Sequence, residues 1–281
     1  MLVAISVFAL LLVSLTGLMN GAMMATTGGF KHMNADTQAR MALDRIALDV
    51  AKMIRRSDVD YYFKKNASPG NDQMAFYSEA SGYYPSTSKT VEQGNVSLVG
   101  YRINSSNQLE RLSKGLVWNG VSTGGTPMVF LPQTITGTWT SIAGSGTDAD
   151  YQVIGDQIFR LEICFLVQNS SFNNGVATLS DTPYLTPDTT YNGLQDVVAI
   201  VATIAVLDTN SRTILTPAQI QAAANLLPHQ TGTPTVSVPN PMPTPPSTAW
   251  VAPVNAGLGL PRVAGSQVRI YQRYCYLNLV Q

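Results

Sequence analysis

The chain has few charged residues: Lys, Arg, Asp and Glu make up 12% of its 281 residues, about half the usual share. Basic and acidic side chains number 17 each, so the formal net charge is zero. A nucleic-acid-binding surface needs clustered Lys and Arg, and no such cluster is present. The composition therefore predicts no nucleic-acid partner. Low charge together with many Thr, Ser, Asn and Gly residues suits a β-rich domain outside the cytoplasm.

Histidine and cysteine are also scarce, with two of each in the chain. His32 lies beside a glycine pair and His229 lies in a proline-rich stretch, so neither has a second histidine nearby in the sequence. The GxSxG, HExxH, P-loop and paired-cysteine zinc motifs are all absent. We therefore predict that the protein is not an enzyme and has no catalytic residue, no metal site and no cofactor.

Loop carboxylates leave calcium as an unsupported option. Asp148 and Asp150 lie in one polar stretch, and Asp181 and Asp188 lie in another. Calcium prefers oxygen ligands, but neither stretch has the spacing of an EF-hand loop. Solvated turns are the preferred interpretation, and no metal ligand is assigned.

One stretch has no charge at all, because no charged side chain precedes Lys31. Residues 1–19 read MLVAISVFALLLVSLTGLM, and a helix of this length spans about 29 Å, close to the hydrocarbon thickness of a bilayer. Its hydroxyl groups can donate hydrogen bonds to carbonyls of the same helix, so they do not prevent insertion of the helix into a membrane. We predict a membrane or filament-core helix over residues 1–27. A cleaved signal peptide and a buried core helix are the alternatives.

The helical pattern continues over residues 28–57 with an amphipathic character. Arg45 and Asp49 form an i,i+4 pair that is expected on the outer side. Gly28-Gly29 costs about 2 kcal/mol of helix propensity, so a kink or a short break is expected there. One apolar face is expected to pack on the rest of the chain; its members are Leu43, Ile46, Val50 and Ile54.

Residues 58–281 are predicted to form a β-rich globular domain. An apolar, β-branched segment at 196–207 indicates a central strand covered on both faces. Thr216-Pro217 is a helix start, and the helix is expected to run to Leu227. Other strands are expected at 73–78, 96–103, 108–112, 128–131, 151–154, 157–167 and 266–279.

A proline-rich excursion occupies residues 228–261 and holds nine of the sixteen prolines. This density of proline excludes a regular sheet or helix. The segment is expected to be a surface loop, with an arm that contacts another subunit as the functional alternative.

The two cysteines, Cys164 and Cys275, each lie in a strand-like run. If those two strands pair, the thiols could approach bonding distance, and Glu162 could meet Arg273 or Arg269. An oxidising compartment would permit the disulfide. The sequence does not fix strand order, so two buried free thiols remain the alternative.

An apolar helix that continues into an amphipathic one and then into a β-rich domain resembles the type IV pilins and pseudopilins. MLVAISVFALLLVSL is similar to the stretch that follows the glutamate of their processing signal, whose Gly-Phe-Thr-Leu-X-Glu pattern is expected upstream of Met1. RMALDRIALDVAKMIRR at 40–56 and the hairpin around 101–112 resemble the J-type minor pseudopilin of type II secretion systems.

The resemblance implies an α+β fold in which a long N-terminal helix packs on an antiparallel sheet. It implies a structural minor pseudopilin at a filament tip, with the other minor pseudopilins and the major pseudopilin as partners. It also implies a single span in the inner membrane and a periplasmic globular domain. A minor type IV pilin for adhesion or DNA uptake, and an unrelated membrane-anchored domain, remain alternatives.

Overall fold

A long helix followed by antiparallel strands forms the computed structural model, which confirms the expected α+β class. The structure describes residues 2–55, 61–68, 70–80, 82–83, 93–117, 150–168, 176–183, 194, 196–229 and 244–277. Helix α1 spans Leu2–Ala51, a length of 50 residues. It contains the apolar start of the chain and most of the amphipathic segment, so the two predicted helical segments belong to one element.

The expected break at Gly28-Gly29 is wrong, because α1 continues through both residues. Two interior glycines cost about 2 kcal/mol of helix propensity. A break would instead leave several N–H and C=O groups at two new helix ends without intrahelical partners. With more than twenty helical residues on each side, continuation is the less costly outcome.

Nine strands are present in the described part of the chain. They are β1 (Tyr61–Ser68), β2 (Asn71–Ser78), β3 (Gln93–Ile103), β4 (Leu109–Val117), β5 (Gln152–Gly155), β6 (Ile158–Val167), β7 (Thr178–Ser180), β8 (Val197–Val206) and β9 (Arg269–Tyr276). The predicted hairpin is β3 and β4, and the predicted central strand is β8. Strands β1 and β7 were not predicted, and the expected strand at 128–131 lies outside the described residues.

The strands form two antiparallel sheets. The first has the order β1-β2-β3-β4-β5, and the second has the order β7-β6-β8-β9. Strand β8 pairs with β6 on one side and with β9 on the other, along nearly its whole length. Its run of apolar, β-branched residues suits this position, which is buried on both faces.

The main core lies where the second half of α1 meets both sheets. Residues from α1 pack beside β8 and β9 and also reach β5. The first sheet adds Met74, Phe76 and Val99 to this core, and the second adds Leu161 and Ile204. One stripe of the helix therefore packs against both sheets, which also contact each other directly through β2 and β6.

Short helices cover the opposite face of the second sheet. They are α2 (Thr209–Ile214), α3 (Pro217–Leu226), α4 (Pro246–Ala249), α5 (Val251–Asn255) and α6 (Arg262–Gly265). The helix start expected at Thr216-Pro217 is confirmed, and a capping box between Thr216 and Gln219 adds to the expected N-cap. Trp250 is fully buried under this layer with Phe159.

The proline-rich excursion differs from the prediction where it is described. It contains α4 and α5, although neither helix nor sheet was expected there. Pro246 is the first residue of α4, a position where the missing N–H costs nothing. Residues 230–243 lie outside the described part of the chain, so the arm or loop interpretation of that portion is not tested.

Candidate functional site

Over Ile5–Met23, the first half of α1 has an exposed apolar surface. Residues Ile5–Met23 are long and apolar enough to cross a membrane, and none of this 19-residue window is buried against the rest of the chain. Leu10 and Val13 are each 71% exposed. The Thr16 hydroxyl donates to the carbonyl of Leu12 at 2.8 Å, so its polar group is satisfied inside the helix. The segment can therefore bury its surface in lipid or against other helices.

The second half of α1 packs against the sheets through one face. Three of the four predicted packing residues lie on this face and are 5% exposed or less: Leu43, Ile46 and Val50. Ala35, Ala39 and Ala42 extend the contact towards the N-terminus. Small alanine side chains allow the helix backbone to approach the sheets closely.

Ile54, the fourth predicted packing residue, does not belong to the helix. The helix ends at Ala51, and the Ile54 N–H donates to the Tyr77 carbonyl at 2.9 Å. Its side chain packs with a separate cluster on the first sheet, which includes Tyr77 and Leu98. The 3.6-residue period could not reveal this, because the chain leaves the helix after Ala51. Met53 and Ile54 instead pair with the end of β2.

Polar contacts fix the helix along β9. Tyr271 donates to Asp36 and Arg273 donates to Asp44. A further contact lies just before β6, where the Gln157 N–H donates to the side chain of Gln38 at 3.0 Å. Burial and the Asp36 carboxylate raise the pKa of Tyr271, so its hydroxyl remains a donor. Strand β9 is thus held to α1 at positions about two turns apart, which sets the axial register of helix and sheet.

Asp49 is the polar centre of the helix–sheet contact and is only 1% exposed. Its carboxylate accepts from Arg111 Nε at 2.7 Å and from the Tyr101 hydroxyl at 2.5 Å. Arg45 approaches it from the same helix at 3.2 Å. Burial and the Asp49 charge raise the pKa of Tyr101 well above its ordinary value. The sequence placed Arg45 and Asp49 outside as a simple i,i+4 pair, which is wrong for Asp49.

Cys164 and Cys275 form no disulfide, and both side chains are buried. Cys164 on β6 pairs with Val201 of β8, whereas Cys275 on β9 pairs with Ile200 of the same strand. Strand β8 therefore separates the two, and two inter-strand spacings place them about 10 Å apart. A disulfide needs Cα atoms closer than about 7 Å. The predicted meeting of Glu162 with Arg273 or Arg269 fails for the same reason.

A second polar cluster lies beneath the layer of short helices. It joins Asp72 on β2, Arg160 and Glu162 on β6, and His229 after α3. Asp72, Arg160 and Glu162 are each at most 1% exposed, and His229 Nδ1 lies 2.9 Å from Glu162 Oε2. The sequence missed this cluster because its members are up to 157 positions apart and share no motif spacing.

Two of the four loop carboxylates considered for calcium, Asp150 and Asp181, lie in the described residues. Asp150 pairs with Lys114 at 2.7 Å on the first sheet. Asp181 follows β7 in the second sheet. Asp148 and Asp188 lie outside the described residues, so calcium at these positions remains untested.

Comparison with known proteins gives a distant structural likeness. No protein-family model matches the chain, and no curated protein matches its sequence. Among solved structures, the chain is similar to a type IV-like pilin from Thermus thermophilus, with 11% sequence identity and a TM-score of 0.32. The likeness covers 85% of this chain and 93% of that one. At this identity and TM-score it assigns neither a family nor a function.

Proposed function

We propose that this chain is a structural subunit of a type IV pilin-like filament, in particular a minor pseudopilin of the J type in a type II secretion system. The first half of α1 anchors the subunit in the inner membrane, and the globular domain lies in the periplasm. During assembly, contacts with neighbouring helices replace the contacts with lipid. The other minor pseudopilins and the major pseudopilin are the expected partners.

One observation carries this proposal: a single continuous helix has two different surroundings. Its first half is exposed and apolar over Ile5–Met23, and its second half buries one face against the two sheets. A simple anchor needs no rigid connection to the domain that it tethers. A continuous helix instead transmits the position of the membrane segment directly to the globular domain, as a filament subunit requires.

A second observation favours assembly over simple anchoring. Met33, Met41 and Leu48 on the second half of α1 are each 58% exposed or more. At about 100° per residue these three positions share one side of the helix, opposite the side that contains Ile46. Apolar side chains on an outward helix face suit contact with another helix. The stripe lies beyond the apolar window, where lipid alone would not cover it.

A charge placed in the middle of the apolar window tests membrane insertion. Val13→Arg should move the full chain out of the carbonate-resistant membrane fraction, because Arg at a membrane helix centre costs about 2.5–3.5 kcal/mol. Ile214→Arg is the matched control: Ile214 is 62% exposed on the globular domain, so this variant should fractionate like the parent. Equal membrane retention of Val13→Arg and the parent would refute the anchor.

Two alternatives remain distinct from this proposal. A minor type IV pilin would share the helix and differ in its partners, so co-purification with secretion-system pseudopilins separates the two. An unrelated single-span domain would insert in the membrane without contacting other subunits through the outer stripe of α1. Either result would leave the membrane anchor intact and change the assembly that it serves.

A further inference from the structure

The buried cluster of Asp72, Glu162 and His229 has a composition that simple packing does not require. Three different parts of the fold supply it: the start of β2, the middle of β6 and the turn after α3. One carboxylate oxygen from each acid and one ring nitrogen of His229 all lie within 4.8 Å of one another. We propose that these three residues bind a divalent transition-metal ion, with Zn²⁺ as the probe.

The charges of the cluster favour a cation. Asp72 and Glu162 are buried carboxylates, and Arg160 is the one guanidinium among the four side chains. With a neutral imidazole, the four side chains hold two negative charges and one positive charge. An excess of buried charge is costly unless it is compensated. A divalent ion that carries one bound hydroxide brings the sum to zero, and two carboxylates with one imidazole are ligands that Zn²⁺ and related ions accept.

The carboxylate of Asp72 is already oriented for ligation. Its Oδ2 accepts from the Ile163 N–H at 2.8 Å, at the edge of β6 that the short strand β7 does not reach. Its Oδ1 lies 3.9 Å from His229 Nδ1. Such a backbone hydrogen bond fixes a metal-ligating carboxylate from behind. The side chain therefore presents one oxygen to the cluster and uses the other to complete the sheet.

The separations of the ligand atoms are close to those of a tetrahedral zinc site. Bonds of 2.0–2.2 Å place two ligand atoms about 3.4 Å apart. The separations from His229 Nδ1 are 2.9 Å to Glu162 Oε2 and 3.9 Å to Asp72 Oδ1, one shorter and one longer than 3.4 Å. His229 is 21% exposed at its side chain, which gives the ion an entry path and lets the ring adjust.

Arg160 provides the second, independent indication of a ligand. This side chain is fully buried, and its Nε and Nη1 have no hydrogen-bond partner among the described residues. Its Nη2 reaches into the cluster and donates to Glu162 Oε2 at 2.8 Å. An ion bound by Glu162 takes the place of Nη2 at that oxygen. The unused donors of the guanidinium would then be available to a hydroxide or another small anion at the fourth coordination position.

Zinc titration of the full chain in detergent tests the site. The parent should bind one Zn²⁺ per chain in competition with a chromophoric chelator, and its melting temperature should rise with zinc. His229→Asn should weaken binding at least about tenfold. His32→Asn is the matched control, since these are the two histidines in the chain, and it should bind like the parent. Asp72→Asn keeps an acceptor for the Ile163 N–H while removing charge, and it should also weaken binding.

Three results would contradict the proposal. Absence of stoichiometric zinc binding by the folded parent would overturn the proposal. So would an unchanged affinity in both His229→Asn and Asp72→Asn, or a loss of binding that occurs only in His32→Asn. Circular dichroism in the presence of a chelator checks that each variant folds. The result does not bear on the filament proposal, because the site lies away from α1.

Discussion

At the residue scale, Asp49 shows how tertiary contacts change the role of a side chain. Within α1 it is one of several acids that could form an exposed pair. In the folded chain it is surrounded by Arg45, Arg111 and Tyr101, which come from one helix and two strands. Charge-assisted hydrogen bonds of this kind join the helix to the first sheet. The arrangement ties the helix and the hairpin together at one buried point.

Removal of the Asp49 carboxylate should be costly. Asp49→Ala leaves Arg111 half-buried without its partner, and loss of one member of such a pair costs about 3–5 kcal/mol. Tyr101→Phe removes only one hydrogen bond to a charged group and should cost about 1.5–3 kcal/mol. Urea unfolding of the full chain in detergent measures both values. Wild-type stability in Asp49→Ala would contradict the assigned role.

The cysteines provide a second test at the same scale. Burial raises the pKa of the Cys275 thiol from 9.0 to about 11, and Cys164 is fully buried. Because the thiolate is the reactive form, both residues should resist an aromatic disulfide reagent at pH 8 in the native protein. Both should react fully in urea without prior reduction. Zero reactive thiols in urea would instead indicate a disulfide.

The raised pKa of Cys275 also has a consequence for stability. The folded state holds the thiol proton more tightly than the unfolded chain does. This contribution to stability is complete below about pH 9 and is lost as the pH rises towards 11. Over that interval, the free energy of unfolding should fall more steeply in the parent than in Cys275→Ala.

At the scale of elements, α1 is amphipathic only where the globular domain covers it. Leu48 and Ile46 lie two positions apart, yet Leu48 is 58% exposed and Ile46 is fully buried. The 3.6-residue period of the sequence indicated the buried side correctly for Leu43, Ile46 and Val50. It did not indicate the end of the helix, because that end depends on the contact of the following residues with Tyr77 and Ser78.

Two neighbouring substitutions measure the packing of α1. Ile46→Ala should destabilise the protein by about 2–5 kcal/mol, because it leaves a cavity between the helix and the sheets. Leu48→Ala should change the free energy of unfolding by less than about 0.5 kcal/mol, since it lies on the exposed side. Thermal unfolding of the full chain compares them. Equal losses in the two variants would mean that the helix packs in a different orientation.

At the scale of the whole molecule, the second half of α1 packs on two sheets, and the short helices cover the opposite face of the second sheet. The first half of α1 projects from this body with its apolar surface exposed over Ile5–Met23. The outward stripe of Met33, Met41 and Leu48 continues alongside the globular part. A filament subunit uses both surfaces, whereas a tethered domain uses only the first.

Cross-linking distinguishes these two uses. Met41→Cys places a thiol on the outward stripe, and the native cysteines are buried and should not compete. In cells that express the proposed partner subunits, a maleimide–amine cross-linker attached to Met41→Cys should join this chain to a neighbouring partner subunit. Val263→Cys is the control, since Val263 is 72% exposed on the globular layer away from α1. If the two variants cross-link equally, or Met41→Cys does not cross-link, the stripe is not an assembly surface.

Local patterns in the sequence determine much of the architecture. Short-range physical preferences account for four features: the uncharged start, the apolar period through Val50, the helix start at Thr216 and the β-branched run of β8. Such preferences predict elements because hydrogen bonding and burial act on neighbouring residues. They predicted the α+β class and the strands β3, β4, β6 and β8 in this way.

Only the tertiary structure decided which elements are neighbours. Insertion of β8 between β6 and β9 keeps Cys164 and Cys275 apart, and the packing of α1 on the first sheet buries Asp49. The cluster of Asp72, Glu162 and His229 likewise depends on contacts between distant segments. Strand order and long-range packing are set by the total burial of the folded chain. No short window of sequence contains that information.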